Sequence, residues 1–168
     1  MLAFYGVYTY LGSFLREELD VGSGPAAGLI LLYGLGVAVM STNGWVIDRI
    51  GKARAVTLTL LALTALFAAL PFSAAAPVVL GAVLVLMGAQ QAGFLTAMAT
   101  MATNAMPAGR GAVVALMSST TYVGVMLGAA VMGPVFEGPG YRAIGLACAA
   151  IALAAAGLSL RLRAAPPA

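Results

Sequence analysis

Acid and base crowd together between two long apolar runs in the stretch from Gly44 to Arg54 that reads GWVIDRIGKAR. Asp48 is its one carboxylate, and Arg49, Lys52 and Arg54 are its bases. The chemistry open to such a set is electrostatic. The carboxylate can sit against the positive N-terminal end of a nearby helix or pair with a base. The bases stay at an anionic surface. Gly44 leaves a helix face bare for a close neighbour, and Gly51 permits a tight turn. On charge content alone, an ordinary basic loop with one compensating acid explains the stretch equally well.

A second set is polar, uncharged and embedded in apolar runs. Gln90 and Gln91 are the first candidates for contact with a solute, because each amide both donates and accepts. An unpaired amide in hydrocarbon is costly, so bonding to neighbouring helices is the competing use. Adjacent residues point in different directions, so one of the two is expected to face a cavity. Tyr8 and Tyr33 offer aromatic walls, or pack with a hydroxyl on a carbonyl. Thr121 and Tyr122 end the run Ser118-Ser119-Thr120-Thr121-Tyr122 and are further cavity candidates. Hydroxyls in such a run can also return to their own backbone. Gly124, Gly128, Gly133 and Pro134 read as a close-packing helix face that ends in a kink. The methionines, Met87, Met98, Met101, Met117, Met126 and Met132 among them, read as adaptable packing.

The missing residue types are as informative. There is no histidine, which excludes His-based metal sites and His acid–base chemistry. The single cysteine, Cys148, lies in an Ala-rich apolar run and permits no internal disulfide framework. No carboxylate lies in the middle of an apolar run, and no nucleophile sits beside a base. The chain is therefore read as not an enzyme, with no metal and no cofactor.

The elements that must hold these residues follow from composition. Of the 168 residues, 62% are hydrophobic and 8% charged, against about 25% charged in soluble domains. The apolar residues run round all sides of their segments rather than forming one stripe. No stretch alternates with the period of a membrane barrel. The reading is an all-α membrane protein whose helices satisfy their own backbone groups.

Hydrophobic runs and Gly/Pro punctuation predict six spans, at about 2–15, 25–43, 55–70, 78–103, 111–136 and 142–160, with 164–168 a short disordered tail. The first, about fifteen residues or roughly 22 Å, is shorter than the ~30 Å hydrocarbon core. It reads as a span without its first turns. It has no basic leader and runs into Arg16-Glu17-Glu18, unlike a secretory signal peptide. Arg49, Lys52, Arg54, Arg110, Arg161 and Arg163 fall on one side of the membrane, and only Arg16 and Arg142 on the other. The positive-inside rule makes the first side cytoplasmic, with both termini there. The net charge of +3 reflects this loop bias and does not call for a nucleic-acid partner.

The loop GWVIDRIGKAR resembles the signature G-x-x-x-D-R-x-G-[RK]-x-[RK] of the major facilitator superfamily, matching at Gly44, Asp48, Arg49, Gly51, Lys52 and Arg54. Its place between the second and third spans agrees. Ala53 departs where a second base is common, and Val46 where Leu is frequent. Tyr8-Thr9-Tyr10 is similar to the seventh helix of drug and sugar efflux members. Met106-Pro107-Ala108-Gly109-Arg110-Gly111 is similar to the entrance of the fifth helix of a half, and Gly133-Pro134 with Gly140-Tyr141-Arg142 to its exit.

The resemblance covers nearly the whole chain but only six of the family's twelve helices, and the Tyr-Thr-Tyr stretch favours the carboxyl-terminal half. It implies that the charged loop stabilises one of two alternating conformations through Asp48 and Arg49. It also implies that spans one, two, four and five line a cavity. Their polar residues, including Tyr5, Thr9, Ser41, Thr42 and Asn43 besides those above, outnumber those of spans three and six. The expected function is transmembrane transport of a small organic solute, as efflux, by one half of a secondary transporter in the plasma or inner membrane. Its partners are the lipid bilayer, the solute, and the other half or a second copy of the chain. A non-transporting membrane scaffold or half-size partner subunit is the alternative.

Overall fold

The computed structural model describes residues 1–164. Every regular element among them is helical. Helix α1 spans Leu2–Ser13 and runs on into a π-helical turn, Phe14–Glu18. Helices α2 (Ser23–Thr42), α3 (Trp45–Ile50) and α4 (Lys52–Ala69) follow, and α4 tightens into a 3-10 turn at Leu70–Ala75. Helix α5 is Pro77–Ala105, α6 is Arg110–Glu137 and α7 is Tyr141–Ala164. Pro77 opens α5 at a position where no N–H is needed.

Among the described residues, five segments are long and apolar enough to cross a membrane: Ser23–Thr42, Lys52–Ala75, Pro77–Ala105, Pro107–Glu137 and Tyr141–Leu162. The sequence predicted six. Helix α1 with its π turn has a helical reach of roughly 25 Å, short of the hydrocarbon thickness. Two boundaries also differ from expectation. The stretch read as a charged loop is mostly helix, because Trp45–Ile50 contains no Gly or Pro and is bracketed by Gly44 and Gly51. Gly51, at φ +90°, turns the chain between α3 and α4 in a conformation that glycine adopts freely. Ala164, given to the tail, is the last residue of α7, and the rest of that tail lies outside the described residues.

Packing places the helices in a row, α2 on α5, α5 on α4, α4 on α7, α7 on α1 and α1 on α6, with a lighter α5–α6 contact closing part of the circle. The core lies in the middle of that row. Phe4, Val7, Leu11, Leu63, Phe67, Leu84, Met87, Ile144 and Cys148 are buried together there. The two end helices are scarcely covered: 11% of the most apolar window of α2 is buried and 6% of that of α6, against 50% for α5.

Glycine brings these poorly covered helices close. A Cβ on Gly36 would strike the Val85 carbonyl oxygen, and one on Gly88 the Tyr33 carbonyl oxygen, so α2 and α5 cross with backbones in contact. The α1–α6 crossing is built the same way, with Gly6 and Gly128 facing each other. In lipid this close approach supplies the van der Waals contact that water-driven burial supplies elsewhere.

At one end of the row, the connections that follow α1, α4 and α6 meet. Glu18 Oε1 accepts a hydrogen bond from the Tyr141 N–H at 2.9 Å, placing a carboxylate at the start of α7. The Arg142 guanidinium lies 4.4 Å over the Phe72 ring, and Phe14 stacks on Tyr141 at 4.2 Å.

Candidate functional site

Between α1, α5 and α6 the row leaves a groove on its uncovered side. Two adjoining cavities of about 330 Å³ each share Leu95, Met117 and Thr121 as walls. One continues to Met1, Leu2, Phe94, Met98, Thr120 and Gly124. The other continues to Tyr5, Ala99, Val114, Ser118, Tyr122 and Val125. Thr121 and Tyr122, named from sequence, both line it, and Tyr122 is 72% exposed.

Tyr8 and Tyr33 are brought together across α1 and α2, with ring centroids 4.8 Å apart and planes inclined by 45°. Phe4 backs both, at 5.7 Å from Tyr8 and 5.8 Å from Tyr33. Tyr8 lies one helical turn beyond Tyr5, so the aromatic pair and the groove occupy neighbouring parts of α1.

The chain's six tyrosines divide by what their hydroxyls do. Tyr10 donates to the Ala129 carbonyl at 2.6 Å, five residues before Pro134, over which α6 continues without interruption to Glu137. Tyr141 is fully buried and donates to the Val7 carbonyl at 3.0 Å. These two tie α1 to α6 and α7. The hydroxyls of Tyr5, Tyr8, Tyr33 and Tyr122 have no protein partner among the described residues.

Serines and threonines divide similarly. On α4, Thr59 and Thr64 return their hydroxyls to carbonyls of their own helix, and Thr57 also meets Ser159 of α7 at 2.9 Å. On α6, Ser119 and Thr120 do the same, whereas Ser118 and Thr121, on the groove wall, do not. Thr9 and Thr96 are exposed and likewise unbonded.

The two glutamines part company. Gln91 is buried and faces a separate cavity of about 120 Å³ between α1, α4, α5 and α7, walled by Phe4, Leu60, Leu63, Phe67, Phe94 and Ala152. Its amide nitrogen meets the Met1 sulfur at 3.6 Å. Gln90 is half-buried and is not among the residues lining the groove.

The charged stretch lies on the surface at the α2–α4 end. Asp48 and Lys52 form an i,i+4 ion pair of 3.5 Å across the Gly51 turn, placing the carboxylate beside the first residue of α4. The Asp48 side chain is 71% exposed, so the pair contributes little stability, about 0–1 kcal/mol as exposed pairs do. Arg49 and Arg54 are exposed. Gly44 has no heavy atom within 4 Å of where a Cβ would stand.

Gly124 and Gly128 face the start of α1, where a Cβ would come within 2.8 Å of Met1 and 2.6 Å of the Leu2 carbonyl. A Cβ on Gly133 would come within 2.9 Å of the Tyr10 hydroxyl. The α2–α5 glycines, Gly36 and Gly88, were not singled out in the sequence. A signal existed in the small residues at Gly34, Gly36 and Gly81, Gly88, but it did not say which of them would face a neighbour. Tyr5 and Ser118 were visible as polar span residues but not as one wall.

The sequence profile of the Major Facilitator Superfamily matches residues 1–168. A relative in Bacillus subtilis (strain 168), the "Uncharacterized MFS-type transporter YwfA", is 37% identical over 151 residues, covering 90% of this chain and 37% of the relative. The chain thus spans little more than a third of the length of that curated relative. No solved structure matches the chain.

Proposed function

The chain belongs to the Major Facilitator Superfamily, and we propose that it forms one six-helix half of a secondary transporter that moves a small organic solute by alternating access. Helix α1 is the sixth crossing in this reading. It is packed between α6 and α7, and Val7, Leu11 and Leu15 on it are buried. The observation that carries the proposal is the shape of the row. Its end helices α2 and α6 are scarcely covered, and α6 forms a wall of the groove together with α1 and α5. A partner half set against α2 and α6 would enclose that groove near the bilayer midplane, where such transporters hold their cargo between halves that rock. That partner is either the other half or a second copy of the chain.

Export is the direction favoured by the likeness of Tyr8-Thr9-Tyr10 to efflux members. The surface bearing Arg49, Lys52, Arg54 and Arg110 is cytoplasmic in this reading. The meeting of Glu18, Phe72 and Arg142 supports it, because it puts the connections after α1, α4 and α6 together at the other end. The mid-span regions carry no Asp, Glu, Lys, Arg or His, so a proton-coupling group would belong to the other half.

The exposed Asp48–Lys52 pair, of little value to stability, is free to serve one conformation. Asp48→Asn is expected to slow transport fivefold or more, the size of a typical coupling energy, while membrane insertion is unchanged. Equal rates would remove Asp48 from the cycle. The whole proposal is tested in vesicles holding this chain alone and then with its companion half. Solute movement only in the second supports it, and movement in neither refutes it.

A further inference from the structure

We propose that the groove takes an uncharged solute that carries an aromatic ring and at least one hydrogen-bonding substituent. The inference rests on the reading of the chain as half of a transporter and adds the chemistry of the cargo to it. Its first support is the division of the tyrosines. Tyr10 and Tyr141 spend their hydroxyls on carbonyls of neighbouring helices, at 2.6 and 3.0 Å. Tyr5, Tyr8, Tyr33 and Tyr122 do not; Tyr5 and Tyr122 line the groove, and Tyr8 and Tyr33 pair across α1 and α2 one helical turn from Tyr5. The open hydroxyls of Tyr5 and Tyr122 on the groove wall, with those of Tyr8 and Tyr33 beside it, are donors and acceptors available to a ligand. Once a partner half excludes water, such groups need a partner.

The second support is the geometry of the rings. Tyr8 and Tyr33 stand 4.8 Å apart at 45°, an opened pair held from behind by Phe4. A planar ring laid against them gains the stacking or edge contacts that aromatic pairs favour. The remaining walls, Leu95, Met117 and Val125, are apolar.

Charge decides the rest. No acidic or basic side chain is among the groove's lining residues. An anion would find only hydroxyl dipoles. A cation would find ring faces, but cation–π attraction is smaller than the cost of stripping water from an ion without a counter-charge. A sugar-like solute would need far more polar partners than these walls hold. A neutral ring with a hydroxyl or amide matches what is present.

The test uses the purified native assembly of this chain in nanodiscs, with naphthol as the fluorescent probe. Its competitors are the saturated counterpart decalinol, the naphthyltrimethylammonium cation and naphthoate. Naphthol should bind saturably, the charged analogues more weakly, and decalinol about three- to tenfold more weakly, as the loss of an aromatic contact implies. Tyr8→Leu and Tyr33→Leu should weaken naphthol by a similar factor and leave decalinol unchanged. Tyr33→Phe, which keeps the ring and its packing, should retain the preference for naphthol over decalinol even if the leucine variants do not fold. No saturable naphthol binding, equal binding of decalinol, or equal or tighter binding of either ion would overturn the proposal. An assembly that alternates its accessibility but ignores naphthol loses only this cargo. One that never alternates loses the transporter reading as well.

Discussion

Helices α4 and α6 are both apolar, long enough to span and dotted with hydroxyls, yet they stand in opposite surroundings. Helix α4 lies in the middle of the row, and its window is 39% buried, with Thr57, Thr59 and Thr64 bonded to backbone or to Ser159. Helix α6 lies at the end, 6% buried; Ser119 and Thr120 bond to its own backbone, but Ser118, Thr121 and Tyr122 line a groove and bond to nothing described. All three threonines of α4 are thus bonded, one of them across to α7, whereas α6 leaves part of its polar run available. The difference comes from position in the packing order, not from composition. A helix flanked on both sides uses its polar groups internally because hydrocarbon offers no alternative. A helix at the end of a row can keep them for whatever closes over it.

The contrast breaks most visibly at the glycines. Gly88→Leu drives a side chain into the Tyr33 carbonyl and must push α2 off α5. The cost is about 3 kcal/mol or more for such overpacking, or roughly 6–12 °C in Tm for a domain of this size. Gly34→Leu, on the same pair of helices but with nothing within 4 Å of its Cβ position, should leave the melting temperature nearly unchanged. Thermal melts followed by size-exclusion chromatography in detergent check both. Equal losses would mean that α2 is as crowded on its open face as at the crossing.

A smaller effect is expected at the junction of α1 and α7. Glu18→Ala removes the acceptor from the Tyr141 N–H and should cost about 1 kcal/mol, as the loss of a helix cap does. Glu18→Gln, which keeps an acceptor oxygen, should recover most of it in the same melts. The smallest change belongs to a hydroxyl bonded only to its own helix. Thr59→Val swaps shapes of similar size and should stay within about 0.5 kcal/mol. A larger loss would show that α4 depends on its threonines for more than local bonding.

Much of this arrangement was legible in the sequence, and the reasons are specific. The long apolar runs fixed the helical class because a bilayer admits few other solutions. The spacing of Gly44, Asp48, Arg49 and Gly51 pointed to the superfamily that the profile match then established. The cavity candidates were harder. Thr121 and Tyr122 line the groove, but Gln91 faces the buried side of α5 with Gln90 off the groove wall, and Tyr5 and Ser118 went unranked. Polarity marks a residue as expensive in lipid but not which neighbour it faces. That depends on how α1 and α5 rotate about their axes, and close glycine contacts such as Gly36–Val85 and Gly88–Tyr33 set it. No local pattern encodes those crossings. The helix at Trp45–Ile50 was missed for the opposite reason, because its charges masked an uninterrupted helical stretch.

The central claim, that the uncovered side of this row is a gated solute path, is tested most directly at Tyr122. A Tyr122→Cys variant, with Cys148→Ala removing the native thiol, is labelled in sealed vesicles by a membrane-impermeant maleimide added to one side and then to the other. The account predicts reaction from both sides, with rates that shift in opposite directions when a transported solute is present. Labelling from one side only, unchanged by any solute, would contradict it.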